Sequence, residues 1–178
     1  MNRMTETPEL IEAPLSKEEL GVRYRQLCED PRFSSVPGKI ELDVWGRMVM
    51  GPPPSNYHGA MQVVLAARLA ALGGRCFVDA CVVTDAGLFV TDVAWTSAEF
   101  MRVHGFETPF TQAPEICVEV VSPSNSKPEL QEKREAYLSA GAEEGWLVFS
   151  QSKRVEVHTR NGVVPASRHS VDLTGIFE

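Results

Sequence analysis

The run Pro114-Glu115-Ile116-Cys117-Val118-Glu119-Val120-Val121-Ser122-Pro123 constrains this chain more than any other stretch. Prolines fence a short strand rich in β-branched residues, and one carboxylate, Glu119, stands in its apolar middle. An unpaired carboxylate in a core costs several kcal/mol, or stays protonated through a pKa rise of roughly 3 to 5 units. The fold must compensate Glu119, and a metal ion is one candidate.

Around that strand, 178 residues with 43% hydrophobic content support one sizeable core. We expect a flexible N-terminal segment, residues 1–15, followed by a single domain over residues 16–178. Ser16 and Glu19 have capping-box spacing, and Leu20, Tyr24 and Leu27 recur at helical intervals, predicting a helix over 16–28. Ile40, Leu42 and Val44 alternate with Glu41 and Asp43 as a half-buried strand, which turns at Trp45-Gly46-Arg47 into Met48-Val49-Met50. Gly51-Pro52-Pro53-Pro54 breaks the chain before a helix bearing Met61, Val64, Leu65, Leu69 and Leu72, stopped by Gly73-Gly74. Strands over 76–83 and 88–95 form a hairpin across Thr84-Asp85-Ala86-Gly87. Residues 96–113 show no clear periodicity and read as a loop, either a substrate lid or a floppy insert. Beyond the central strand, a turn ending at Pro128 opens a helix over 128–140, and strands over 146–149 and 155–159 pair. This order predicts an α/β fold with a central mixed β-sheet flanked by helices.

The net charge of −7 and a pI of about 5.2 argue against a protein that coats nucleic acid with a broad basic face. They leave room for an enzyme that meets nucleic acid at one acidic, metal-loaded spot. Lys127, Lys133, Arg134, Lys153, Arg154, Arg160 and Arg168 fall in the last third, as either a local positive patch or scattered solubilising charge. Four cysteines without a Cys-x-x-Cys pair predict free thiols and a reducing, cytoplasmic setting. The amino terminus has no apolar signal core and no stretch approaches bilayer-spanning length, so we expect no membrane partner. Nucleophile-elbow, phosphate-loop and dinucleotide fingerprints are missing, His58, His104, His158 and His169 form no zinc-ligand pair, and Cys117 has no basic neighbour in sequence.

Asp92 interrupts an apolar row, Leu88-Val90-Ala94, much as Glu119 interrupts its own strand. Lys133 shares a helix face with Leu130 and Tyr137, and Arg134 is almost equally well placed, so periodicity does not choose between them. Two carboxylates on adjacent strands repel, and a divalent cation relieves both the repulsion and the burial. Oxygen-only ligands favour Mg²⁺ or Mn²⁺ over zinc. Such an ion activates a water and neutralises phosphoryl charge, while an inward lysine orients the nucleophile or stabilises the transition state. The plain alternative is a pair of satisfied structural acids.

Several stretches then acquire a joint meaning: Ile40-Glu41-Leu42-Asp43, Met50-Gly51-Pro52-Pro53-Pro54-Ser55-Asn56-Tyr57-His58, Thr91-Asp92-Val93, the strand and turn from Ala113 to Ser124, and residues 133–148 with Tyr137, Gly141 and Trp146. In that order and spacing they resemble the Uma-two family of restriction-endonuclease-like proteins, within the PD-(D/E)XK nuclease superfamily. The resemblance implies a restriction-endonuclease-like core with Asp92 and Glu119 as metal-binding acids. It selects Lys133 over Arg134, since the usual superfamily position, two residues after the second acid, holds Val121. Glu41 matches a family acid that joins the metal or positions water, or is a plain exposed strand residue; His58 matches a family histidine that caps or packs. The implied function is Mg²⁺-dependent hydrolysis of DNA phosphodiester bonds; because cutting both strands of a duplex is easier with two sites, we also expect a homodimer. Thr91, Gly145 and Arg47 depart from the family pattern, and with the acidic charge they motivate the alternative of an inactive nucleic-acid- or protein-binding module on the same fold.

Overall fold

The computed structural model describes residues 13–33, 38–51, 53–123 and 125–178. Most of the expected N-terminal segment, together with Pro37, Pro52 and Ser124 of the expected turns, lies outside the described residues. Helix α1 (Lys17–Glu29) starts at Ser16, whose side chain accepts from Glu19 N while Glu19 accepts from the cap backbone. This reciprocal capping is the arrangement the spacing predicts. A short 3₁₀ turn at Pro31–Phe33 follows, then strands β1 (Ile40–Asp43) and β2 (Met48–Met50). Helix α2 (Asn56–Ala70) precedes the long hairpin β3 (Arg75–Thr84) and β4 (Gly87–Thr96).

The region 96–113 is not wholly a loop: helix α3 (Ala98–His104) occupies part of it, capped by Ser97, and Phe110 bridges to Val82. Its seven residues are too few for a periodic signal, and its stability comes from Phe100 packing on Phe110 and His104. Strand β5 (Ile116–Val121), helix α4 (Lys127–Ser139) and strand β6 (Glu144–Phe149) form a unit in which β5 and β6 are parallel. Antiparallel strands β7 (Arg154–Thr159) and β8 (Gly162–Val164) extend the sheet.

The sheet runs β2-β1-β4-β5-β6-β7-β8, with β3 paired to β4. Strand β4 is buried along its whole length and serves three partners. Its residues 87 and 88 pair with both β1 and β3, and its residues 93–95 pair with both β5 and β3. Since β3 fills one edge, β1 and β5 must share the other, one at each end. Between them, Phe89 to Asp92 face a notch where neither strand completes the ladder.

Alternation along β5 divides the two layers. Ile116, Val118 and Val120 point toward α2, where Met61, Leu65 and Leu69 meet Val93, Trp95, Trp146 and Val148. On the opposite face, Cys117 packs with Ala136, Tyr137 and Leu138 of α4 and with Phe100 and Phe110. Glu119 has the parity of Cys117, so period-2 geometry sends it toward α4.

Candidate active site in a split of the sheet

Four side chains predicted from the sequence meet at this notch. Glu41 comes from β1, Asp92 from β4, Glu119 from β5 and Lys133 from α4, and all four are buried. The two strand acids of β1 and β4 also repair the ladder. Glu41 Oε1 accepts from Val90 N at 2.8 Å, and Asp92 Oδ2 accepts from Val120 N at 2.6 Å. Backbone groups that would be unsatisfied where strands diverge thus hold two carboxylates in fixed places. Glu41 is not the exposed strand residue that simple alternation allows: it is buried, with its carboxylate taken up by Lys133 of α4 and the Val90 backbone of β4.

Lys133 Nζ donates to Glu41 Oε1 at 2.8 Å and lies 3.9 Å from Glu119 Oε2. Tyr137, one helical turn further on, donates its hydroxyl to Glu119 Oε1 at 2.8 Å. Arg134 instead packs against Gly145 and pairs with Glu135. The choice that periodicity left open is therefore made by the direction of α4 over the notch.

Three residues at the site, Lys39, Gln62 and Asp79, carried no sequence signal. Lys39, just before β1, forms an ion pair with Asp92 Oδ1 and a second with Asp79 Oδ1 at 2.9 Å. Gln62 of α2 donates to Asp79 Oδ1 at 3.0 Å and to the Asp92 carbonyl at 3.1 Å. Tyr137 shows in the sequence as a face marker and as part of the family resemblance, with nothing local to link it to Glu119. His58 does more than pack at the helix start, since its Nε2 donates to Asp92 Oδ1 at 3.0 Å while Ser55 caps its backbone N. None of these links is visible in a local pattern, because each joins elements far apart in sequence.

The two central acids are electrostatically unlike. Burial pushes Glu119 up to about 8, with the Lys133 ammonium opposing the rise and the neighbouring Asp92 adding to it. Burial also acts against the Asp92 carboxylate, but the His58 hydrogen bond and the Lys39 charge outweigh it and hold Asp92 below the ordinary range. For Lys133, burial disfavours the charge, yet Glu119 and Glu41 prevail and keep the ammonium protonated. Burial, with Glu119 and Glu41 nearby, likewise holds Tyr137 as a neutral hydroxyl donor.

Asp79, Asp92, Glu119 and Glu41 face two ammonium groups, Lys39 and Lys133. Fully ionised, the cluster carries two uncompensated negative charges, and Glu119 relieves part of that excess by holding a proton. Hard oxygen donors on Asp92 and Glu119, with an ammonium already drawn to one of them, fit a divalent cation of the Mg²⁺ type. Among the described residues no three His, Cys, Asp or Glu side chains form a ready-made cage, so water would complete such a shell. Of the basic residues in the last third of the chain, Lys133 is buried at the notch, and Arg134, Arg154 and Arg168 pair with Glu135, Glu156 and Glu143.

Comparison with known proteins agrees with this architecture. A crystal structure of a putative nuclease belonging to DUF820, from Anabaena variabilis ATCC 29413, superposes with a TM-score of 0.66 at 18% sequence identity. The match covers 85% of this chain and 96% of that one, which shows a shared fold. No curated protein matches the chain. Residues 23–174 match the model of the Uma2 (Uma-two) family, described as "Putative restriction endonuclease", a span that holds Lys39, Glu41, Asp92, Glu119 and Lys133. The chain belongs to this family, with the nuclease-like fold that its notch and mixed sheet display.

Proposed function

We propose that the protein is a divalent-metal-dependent endonuclease that hydrolyses phosphodiester bonds in DNA. The observation that carries this reading is the pair of buried acids, Asp92 and Glu119, converging in one notch with Lys133 beside them. Asp92 and Glu119 would hold Mg²⁺ or Mn²⁺. When bound, the ion would supply a Lewis acid and lower the pKa of a water. Lys133, kept charged by Glu41 and Glu119, orients the attacking water or neutralises charge developing on the phosphate. Glu41 acts as a positioning residue, anchoring both Lys133 and Val90. Tyr137 fixes the rotamer of Glu119 through its hydroxyl.

The acidic surface limits non-specific attraction to DNA, so a local divalent centre is the better match to a polyanion than a basic face. Two copies acting together would cut both strands of a duplex, and a mass measurement with and without DNA tests the homodimer. The cytoplasmic setting is supported by the four free cysteines. No helix among the described residues is long and apolar enough to cross a membrane.

Calorimetric titration of Mg²⁺ and Mn²⁺ into the wild type, Asp92→Ala and Glu119→Ala tests the site without a choice of DNA. We expect binding by the wild type and its loss in both variants. A wild type that binds neither ion, even with DNA present, would overturn the nuclease reading in favour of a binding module.

A further inference from the structure

The ion pair between Lys39 and Asp92 sits where the proposed function needs an open carboxylate. Lys39 Nζ contacts Asp92 Oδ1 on one side and Asp79 Oδ1 at 2.9 Å on the other. Only 6% of the Asp92 side chain is exposed, against 51% for Asp79. The ammonium therefore spans a buried acceptor and a solvated one.

Asp79 is itself unusual. It stands opposite Asp92 in the β3–β4 hairpin, where register is kept on both sides by Val78 with Val93 and Ala80 with Thr91. Its φ is 56°, a left-handed backbone in the middle of a strand, which L-residues adopt uncommonly, Asp more readily than most. Gln62 holds the resulting geometry, donating to Asp79 Oδ1 at 3.0 Å and to the Asp92 carbonyl at 3.1 Å. The strain thus delivers a second carboxylate to Lys39 without moving the β4 backbone.

We propose that Lys39 is a built-in counter-ion of Asp92 and that Asp79 is its alternative seat, so that the pair sets which cation Asp92 accepts. This inference rests on the reading of Asp92 as a metal ligand. When a divalent cation arrives, Lys39 leaves Asp92 and pairs with Asp79 alone, a swing of a flexible stem about an acceptor it already touches. A monovalent ion brings no more charge than the ammonium it must displace, and it must shed water to do so. A divalent ion brings twice the charge, so Lys39 acts as a threshold that favours divalent over monovalent ions.

Mn²⁺ titration by calorimetry on four proteins tests the pair: wild type, Lys39→Met, Asp79→Asn and the double variant. Removing the resident ammonium is expected to tighten Mn²⁺ binding about tenfold, and removing its alternative seat to weaken binding about fivefold. In the Lys39→Met background, Asp79→Asn is expected to change affinity by less than about twofold, since no ammonium remains to be reseated. Excess K⁺ should compete measurably with Mn²⁺ in Lys39→Met but not in the wild type.

If Lys39→Met binds Mn²⁺ as the wild type does, or more weakly, the counter-ion role is overturned while the metal site stands. An equal effect of Asp79→Asn in both backgrounds overturns the alternative seat and leaves a general charge effect. Failure of both wild type and Lys39→Met to bind Mn²⁺ removes the metal reading together with this one. Lys39→Gln serves as the second variant if Lys39→Met does not fold, with the same tightening expected.

Discussion

Lys133 reaches Glu41 at 2.8 Å across 92 positions of sequence, and the same Glu41 oxygen accepts from Val90 N at 2.8 Å. One carboxylate oxygen thus ties α4 to the diverging end of β1 and to the unpaired edge of β4. The lysine is held beside Glu119, in the notch that Asp92 also lines.

Removing both members of this buried pair should cost less than the sum of removing each alone. Glu41→Ala leaves Lys133 and Val90 N short of an acceptor, and we expect a loss of about 3 kcal/mol. Glu41→Ala combined with Lys133→Met should fall well short of the sum of the single effects, with a coupling of roughly 1 to 3 kcal/mol in urea denaturation. Additive losses would mean that the contact carries no coupling.

Lys133 and its neighbour Arg134 should separate cleanly in activity. On supercoiled plasmid with Mn²⁺, Lys133→Met is expected to slow nicking by roughly 10² to 10⁴ through loss of transition-state charge stabilisation. Arg134→Met, which alters a side chain lying against Gly145, should stay within a few-fold of wild type. The reverse order would reassign the catalytic lysine.

Glu119 makes stability depend on pH in the metal-free protein. Its carboxyl titrates near 4.5 ordinarily and near 8 in the fold, so between those values the native chain holds a proton that the unfolded chain has lost. This contribution is fully present below about pH 4.5 and declines as pH rises toward 8, by an amount on the order of a few kcal/mol. Asp92 works the other way: its contribution is present above its ordinary 3.8 and is lost only in more acid solution. Urea denaturation at pH 5, 6.5 and 8 should show the decline in wild type and a flatter profile in Glu119→Gln. A variant with an unchanged slope would remove Glu119 as its source.

Tyr137→Phe deletes the hydroxyl that Glu119 Oε1 accepts in a fully buried setting. We expect about 1 to 2 kcal/mol of destabilisation by thermal melting, with the sheet otherwise intact. A melting temperature equal to wild type would show that Glu119 finds another donor.

Gly87 begins β4 with a φ of +137°, and a Cβ there would collide with the Leu42 carbonyl oxygen. Gly87→Ala should open the short β1–β4 seam, whose backbone pairs are Leu42 with Leu88 and Asp43 with Gly87, at a cost of roughly 2 to 4 kcal/mol. Faster amide exchange in residues 40–43 than in residues 116–121 would locate the damage; uniform exchange would refute it.

Local chemistry in the sequence determined most of the elements and singled out the two acids that the fold brings together in the notch. Ser16 with Glu19 wrote the first helix, the alternation around Glu119 wrote the central strand, and Asp92 stood out as a charge in an apolar row, while Lys133 was separated from Arg134 only by the family resemblance. Such signals are legible because capping and period-2 or 3.6 patterns act within a few residues. The short α3 escaped, since one and a half turns carry too little periodicity and packing of Phe100 decides the conformation. Lys39, Gln62, Asp79 and the contact of His58 with Asp92 escaped for a different reason. Their meaning arises only once β1 and β5 share one edge of β4, and that pairing is non-local. Tertiary structure alone decided which charges face one another, because Coulomb and hydrogen-bond energies depend on distances through space that local sequence spacing does not set.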